Sequence, residues 1–371
     1  MPILLAGDVG GTKTILRLVE FSPPIKLQSQ SLPVDALYEK TYVSASFSDL
    51  HLMVEEFLVE AGTQLGSAPS IKVACFGIAG PVVERRSELT NLGWSLNADL
   101  LETKLNIPTV ALLNDFEANG YGVLGLEPSE LSTLQTAVPH PKYPIAVIGA
   151  GTGLGEGFLI PENGCYEVFP GEGGHADFAP QTSEEYGLCQ YLQKRDRLSH
   201  VSIERVVSGI GIVSIYQYLR DEVKLAPESE EVSAAFDAWR KGKETHTHPQ
   251  SPAAAISKHA MLSQDVSTNT GEDNTDKKDI LCERALEMFV QLYGSEAGNL
   301  ALKILPYGGL YITGGIAAKI LPLMKKGDFL EAFLNKGRVS TLLKKVPIHV
   351  VLNPKVGLIG AALYAARLGS M

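Results

Sequence analysis

At 371 residues the chain exceeds the roughly 150 of an ordinary domain, so two domains are expected. Hydrophobic residues at 45% and charged residues at 20% are a globular balance and exclude a disordered chain. A formal charge of −10 without a basic stripe excludes nucleic acid as an expected partner, and an anionic ligand would need backbone N–H groups or a cation to hold it.

In chain order, Ile3 to Ala6 reads as a fully buried strand running into Gly7-Asp8-Val9-Gly10-Gly11-Thr12. Thr14 to Val19 alternates and is β-rich, so the glycines form a tight hairpin turn. A helix is expected from Asp49 to Ala61, a strand from Ile71 to Phe76, and another from Thr109 to Leu113 that ends at Asn114-Asp115 and opens a helix. This alternation gives an α/β fold. A second series starts with the strand Pro144 to Ile148, the turn Gly149-Ala150-Gly151-Thr152-Gly153 and the β-rich Gly157 to Ile160. Ile203 to Val207 leads into a helix over Ile210 to Arg220, and Gly309 to Ile312 is a strand before Thr313-Gly314-Gly315-Ile316. The polar stretch between Ala226 and Lys278 reads as a long surface excursion with one helix near Ala253 to Leu262. One glycine–threonine turn in each half predicts two similar lobes.

Four scattered cysteines (Cys75, Cys165, Cys189, Cys282) include no CxxC pair, which argues against structural zinc or a disulfide framework. The opening residues form no basic region leading an apolar run, and the apolar stretch from Val356 to Ala366 is too short for a bilayer. A cytoplasmic protein with no membrane partner is expected.

Glycine turns between strands aim backbone N–H groups into a concavity that suits an anion, and the hydroxyls of Thr12 and Thr152 add donors. Either turn alone could be an ordinary hairpin; the pair favours phosphate. A P-loop spelling fails because Thr12 separates Gly11 from Lys13, and GxGxxG fails because the sixth residue from Gly149 is Leu154 and from Gly151 is Glu156. Asp8 within a phosphate turn is electrostatically wrong unless a cation intervenes, and Mg²⁺, with its taste for carboxylate, water and phosphate together, resolves the conflict. The competing reading of Asp8 is a turn-forming residue.

Asn114-Asp115 closes a strand at its C-terminal end, where open α/β sheets place ligands, and Asp115 there could accept the proton of a hydroxyl; a helix cap is the competing reading. Gly171-Glu172-Gly173-Gly174-His175-Ala176-Asp177 gathers ionisable groups among small neighbours, and Glu204 adds a third carboxylate. Carboxylates and an asparagine facing vicinal hydroxyls are how proteins grip a polyol. His246 and His248 could bind a metal, but no further ligands lie near them in sequence.

The spellings Gly7 to Lys13, Leu113-Asn114-Asp115-Phe116, Gly151 to Gly155, Pro170 to His175, Glu204 to Gly209 and Thr313 to Ile316 fall in one order over nearly the whole chain. Together they resemble bacterial-type ATP-dependent glucokinase, of the sugar kinase, Hsp70 and actin superfamily. The resemblance implies a two-lobed ribonuclease H-like (actin-like ATPase) fold. Its small α/β domain would hold residues 1–125 plus 352–371, with the apolar helix Gly357 to Arg367 returning to it, and its large domain residues 126–351. It implies transfer of the γ-phosphoryl of ATP to the 6-hydroxyl of D-glucose, with Asp115 as general base and Asn114, Asp115, Glu172, His175 and Glu204 holding the sugar. Asn91, in a stretch similar to a sugar-side loop, joins that set. Gly10, Gly11 and Thr12, with Gly151, Thr152 and Gly153, would hold phosphates; Gly314 and Gly315 would face the adenosine; Asp8 would hold Mg²⁺ through water. A homodimer is expected. The alternatives are a kinase for another hexose or an N-acetylated amino sugar, and a non-catalytic actin- or Hsp70-like nucleotide-binding protein. No cysteine cluster follows the Glu172–His175 segment and no helix-turn-helix precedes Ile3, so neither zinc nor a repressor of the related kinase group is implied.

Overall fold

The structure is a computed structural model and describes residues 2–21, 36–244, 251–266 and 279–370. Strand β1 (Ile3–Val9) is apolar at nearly every position, as a strand covered on both faces must be. It turns through Gly10 to Thr12 into the antiparallel β2 (Lys13–Glu20), with Val9 opposite Thr14, and β3 (Ala36–Val43) pairs antiparallel outside β2. Helix α1 (Leu50–Leu65), capped by the Asp49 side chain, crosses to β4 (Ile71–Ile78), which lies parallel to β1. After a small hairpin of β5 (Arg86–Leu89) and β6 (Trp94–Asn97), helix α2 (Ala98–Leu105) leads to β7 (Thr109–Asn114), parallel to β4. Helix α3 (Asp115–Gly122) springs from the end of β7.

The second sheet repeats this plan. After the edge strand β8 (Leu131–Gln135), β9 (Ile145–Ala150), β10 (Leu154–Glu162) and β11 (Cys165–Gly171) form an antiparallel meander. Helices α4 (Ser183–Asp196), α5 (Gly209–Tyr218), α6 (Glu230–Glu244), α7 (Pro252–Val266) and α8 (Ile280–Ile304) precede β12 (Gly309–Thr313), which adds parallel to β9. The short helices α9 (Gly315–Lys319), α10 (Leu321–Met324), α11 (Asp328–Leu334) and α12 (Ser340–Leu343) lead to β13 (Ile348–Val351), parallel to β12. The orders β3-β2-β1-β4-β7 and β11-β10-β9-β12-β13-β8 thus share one plan, antiparallel meander then two parallel strands, with β8 appended to the second. The repeated glycine–threonine turn marks the same hairpin in each.

The last helix, α13 (Val356–Leu368), packs on α3, β1 and β4 rather than on the strand just before it. No room for a Cβ exists at Gly122 or Gly360, where the backbones of α3 and α13 meet. Arg367 then pairs with Glu167 on β11, tying this helix to the second sheet.

The stretch between Ala226 and Lys278 corrects the sequence reading. It holds two helices among its described residues, and they are not a surface excursion: Val232 and Phe236 on α6, and Ala253, Ile256 and Ala260 on α7, are buried in the core that also contains Tyr216 and Tyr293. Phe236 stacks on Tyr216 at 5.6 Å. The apolar residues of α6 form a narrow stripe in an otherwise charged segment, so composition concealed a helix that four-residue spacing alone reveals. His246 and His248 lie outside the described residues. All four cysteines are unpaired. Among the described residues no helix is long and apolar enough to cross a membrane, and no cluster of three or more His, Cys, Asp or Glu could hold a metal by itself.

Candidate active site

The first turn is braced from behind. Gly10 N–H donates to the Lys13 carbonyl at 3.1 Å, and the buried Ser44 donates its hydroxyl to the Gly10 carbonyl at 2.7 Å. Among the described residues no backbone carbonyl receives the N–H of Gly11 or Thr12, so two donors remain for a ligand. Asp8, at the end of β1, is pulled above the usual carboxylate range by burial, against the opposing charge of Lys13. Asn91, in the turn between β5 and β6, lies beside this turn: a Cβ on Gly11 would meet its side chain at 3.8 Å.

The second turn is clasped by the segment before α5. Gly209 N–H donates to the Gly151 carbonyl at 2.8 Å, and Leu154 N–H donates to Glu204 Oε2 at 2.9 Å. Ser208 caps α5 through Gly211 N–H and donates its own hydroxyl to the Glu204 carbonyl. Gly314 sits beside the same turn at φ +84°, with the Ala150 carbonyl where a side chain would begin, so both space and backbone conformation demand glycine. A cavity of about 870 Å³ opens beyond Gly151 and Thr152, walled by Ile210 and Ile212 of α5, Ala254 and Met261 of α7, Trp239 of α6 and Ile316 of α9.

Asn114 caps α3: its Oδ1 accepts from Phe116 N–H at 2.8 Å and Glu117 N–H at 3.4 Å, and its Nδ2 donates to the Gly80 carbonyl at 3.0 Å. Both lone pairs of the amide oxygen are thereby used, and one N–H remains to face a ligand. Asp115 follows as the first helical residue, where the helix N-terminus favours negative charge. The residue is exposed to water on one side. Desolvation lifts its carboxyl to about 6 against the stabilising Phe116 N–H, and the charges of Asp8 and Glu172 push the same way. One carboxyl therefore senses both the first glycine–threonine turn and the Glu172–His175 turn. Glu117, one position past Phe116, is likewise raised by burial, to about 7.

Glu172 and His175 stand on a 3₁₀ turn after β11, their side chains 3.7 Å apart and 86% and 66% exposed, respectively, so both are open to a ligand. The turn closes through His175 N–H to the Glu172 carbonyl at 3.0 Å. Ile203 N–H donates to the Ala176 carbonyl at 2.9 Å, so the segment bearing Glu204 is tied directly to the segment bearing Glu172 and His175. Of the expected residues, Asp115 thus has both Asp8 and Glu172 close enough for their charges to act on it, while Glu204 spends a carboxylate oxygen on Leu154 N–H at the second glycine–threonine turn.

The sequence reading missed Phe116. Its ring lies on a platform of glycines: a Cβ on Gly155 would overlap the ring, and one on Gly149 or Gly157 would stand 3.0 Å or 3.4 Å from it. Gly155 and Gly157 share one face of β10, and two glycines at strand spacing signal the close approach of another group. The residue after Asp115 thereby rests on the opposite sheet.

Two sheets of one repeated plan, each bearing a glycine–threonine turn, with the charges of Asp8 and Glu172 both acting on Asp115, mark a sugar kinase of the actin-like ATPase fold. The glucokinase family model matches residues 5–368, and the chain belongs to that family. It is 51% identical to a glucokinase of a Nostoc species and 49% identical to one of Nostoc punctiforme, over 99% of this chain and all of each relative. The solved glucokinase of an Antarctic psychrotroph is 26% identical, with a TM-score of 0.75 over 98% of this chain and 99% of that one.

Proposed function

We propose that the protein transfers the γ-phosphoryl group of ATP to the 6-hydroxyl of D-glucose, giving glucose 6-phosphate and ADP. The observation that carries this reading is the position of Asp115, whose carboxyl feels both Asp8 on the phosphate side and Glu172 on the sugar side. In this reading Asp115 accepts the proton of the 6-hydroxyl as the oxygen attacks. Phosphoryl transfer needs little covalent help, so the chain contributes chiefly by positioning. Asn114, Glu172, His175 and Glu204 hold the sugar hydroxyls, with Asn91 at the rim by the first turn. The turns Gly10-Gly11-Thr12 and Gly151-Thr152-Gly153 surround the phosphates; Gly10 and Gly151 shape them, their N–H groups closing the turns on the Lys13 and Gly153 carbonyls, while Gly11 and Thr12 offer N–H donors left free among the described residues. The adenosine lies in the cavity walled by α5, α6 and α7, against Gly314 and Gly315. The small lobe comprises residues 1–125 with 352–371 and the large lobe 126–351.

Asp8, with the charge of Asp115 near enough to act and anion-facing backbone N–H groups beside it, fits a divalent cation between carboxylate and phosphate. Asp8 would hold Mg²⁺ through water, since no cluster of three ligating groups exists among the described residues. Bound there, the ion would neutralise charge on the phosphate oxygens.

The test is Asp115→Asn, with glucose 6-phosphate formation coupled to a reporter and ATP hydrolysis followed with and without sugar. General-base catalysis contributes typically about 10²–10⁴-fold, so kcat should fall by at least about 100-fold while glucose still binds. Wild-type turnover in that variant, or ATP hydrolysis indifferent to glucose in the native protein, would refute the reading.

A further inference from the structure

Behind the Glu172–His175 turn lies a second pair of acids that the proposed reaction does not use. Glu156 on β10 is 3% exposed and Glu296 on α8 is 4% exposed, and their carboxyl groups are within hydrogen-bonding reach of each other. Glu156 Oε1 is buried with no donor among the described residues. Two carboxylates cannot satisfy one another, since each only accepts; one retained proton turns the contact into an O–H···O⁻ bond. Glu156 also reaches the polyol turn itself, because a Cβ on Gly173 would overlap its carboxyl group. The backbone between Glu172 and Gly174 therefore rests on this acid.

We propose that Glu156 and Glu296 share a single proton, and that the resulting pair is a support that fixes the height of the Glu172–His175 turn, making Glu156 a positioning residue for the sugar. The inference rests on the sugar reading given above. Behind the pair the support continues through α8: Asn299 Nδ2 donates to Glu296 Oε2 at 2.9 Å, and Lys336 Nζ donates to Asn299 Oδ1 at 2.7 Å. Glu296 is thus held from one side as the charged partner, leaving Glu156 as the acid that keeps the proton. Burial and the Glu296 charge raise Glu156 to about 7, with Lys303 opposing. The other titratable groups facing the pair are Tyr293 on α8 and Lys336 beyond α11, while the turn above carries Glu172 and His175. When the proton leaves, two negative charges face each other in a dry site, and the turn is the part free to move.

The experiment measures glucose KM, ATP KM and kcat of the full chain from pH 6 to 9 for the native protein, Glu156→Gln, Glu156→Ala and Glu172→Gln. A shift of about 1 Å in a positioning group is worth up to about 100-fold, so Glu156→Ala should raise glucose KM about tenfold and leave ATP KM within about twofold. Glu156→Gln, whose amide donates permanently to Glu296, should restore glucose KM at pH 6.5. Native glucose KM should climb as pH rises through about 7, and that climb should be absent in Glu156→Gln. Contributions from Glu172 and His175 are common to both proteins and cancel in the comparison. Equal pH dependence in the two proteins, or equal rises of glucose and ATP KM in Glu156→Ala, would overturn the proposal. If Glu156→Ala does not fold, the Gln profile decides alone. An unchanged glucose KM in Glu172→Gln would bring down the sugar reading and this inference with it, whereas a raised KM there with a normal Glu156→Ala would bring down the support alone.

Discussion

The seat of Phe116 on the β9–β10 hairpin gives the sharpest quantitative test, through Gly155→Ala. An alanine Cβ at position 155 would stand 2.9 Å from Phe116 Cγ and closer still to the ring edge, where carbon atoms ordinarily rest about 3.5–4.0 Å apart. The β10 backbone is held in the ladder on both sides, by Gly149 opposite Gly155 on β9 and by the β11 pairing that starts at Glu156. The ring therefore retreats, by about 1 Å, and carries the first turn of α3 with it. Overpacking of this kind costs about 1–3 kcal/mol, which the fold should survive. The same displacement applied to the neighbouring Asp115 should lower kcat about 100-fold. Steady-state kinetics with both substrates saturating, beside a thermal melt, measures both effects. A folded Gly155→Ala protein with native kcat would refute the claim that this platform sets the position of Asp115, and a Phe116→Leu exchange in the Gly155→Ala background should recover part of the loss by relieving the overlap.

Three further outcomes are expected. Asp115 sits near 6, so kcat/KM for glucose should fall about tenfold per pH unit below pH 6; Glu172 helps raise that carboxyl, so Glu172→Gln should move the acidic limb to lower pH. Filling the cavity beside Thr152 with Ala254→Trp should raise ATP KM at least about tenfold with glucose binding intact, as read by kinetics and sugar-induced fluorescence change. Phe236→Ala on α6 should destabilise the protein by about 3–5 kcal/mol in denaturant titration, whereas a mere surface helix would lose under 1 kcal/mol.

Legibility in the sequence followed how local each signal is. Strands β1, β4, β7, β9 and β12 are short apolar runs stopped by glycine or by Asn-Asp, and such punctuation survives without tertiary context. The repetition of one glycine–threonine turn pointed to two similar halves, while the strand order within each is set by long-range pairing that no local signal carries. Helix α6 failed to register because its core contacts occupy a few positions among charged ones. Asn114 shows the opposite difficulty: cap and ligand readings predict the same residue type, and the structure has the side chain capping with one N–H to spare. The Glu156–Glu296 pair was invisible because its members stand on β10 and α8, and nothing in either local sequence marks a buried acid.

The packing of α13 on β1, β4 and α3 has a consequence for biosynthesis. The helix that begins at Asp115 finds its largest single backing in residues from Val356 onward, where Gly122 and Gly360 interlock. A ribosome makes the first sheet early, yet the nascent polypeptide cannot close that core until translation has passed Leu368. The seat of Asp115 is thereby completed only in the final moments of synthesis, and a product terminated before Val356 lacks that backing.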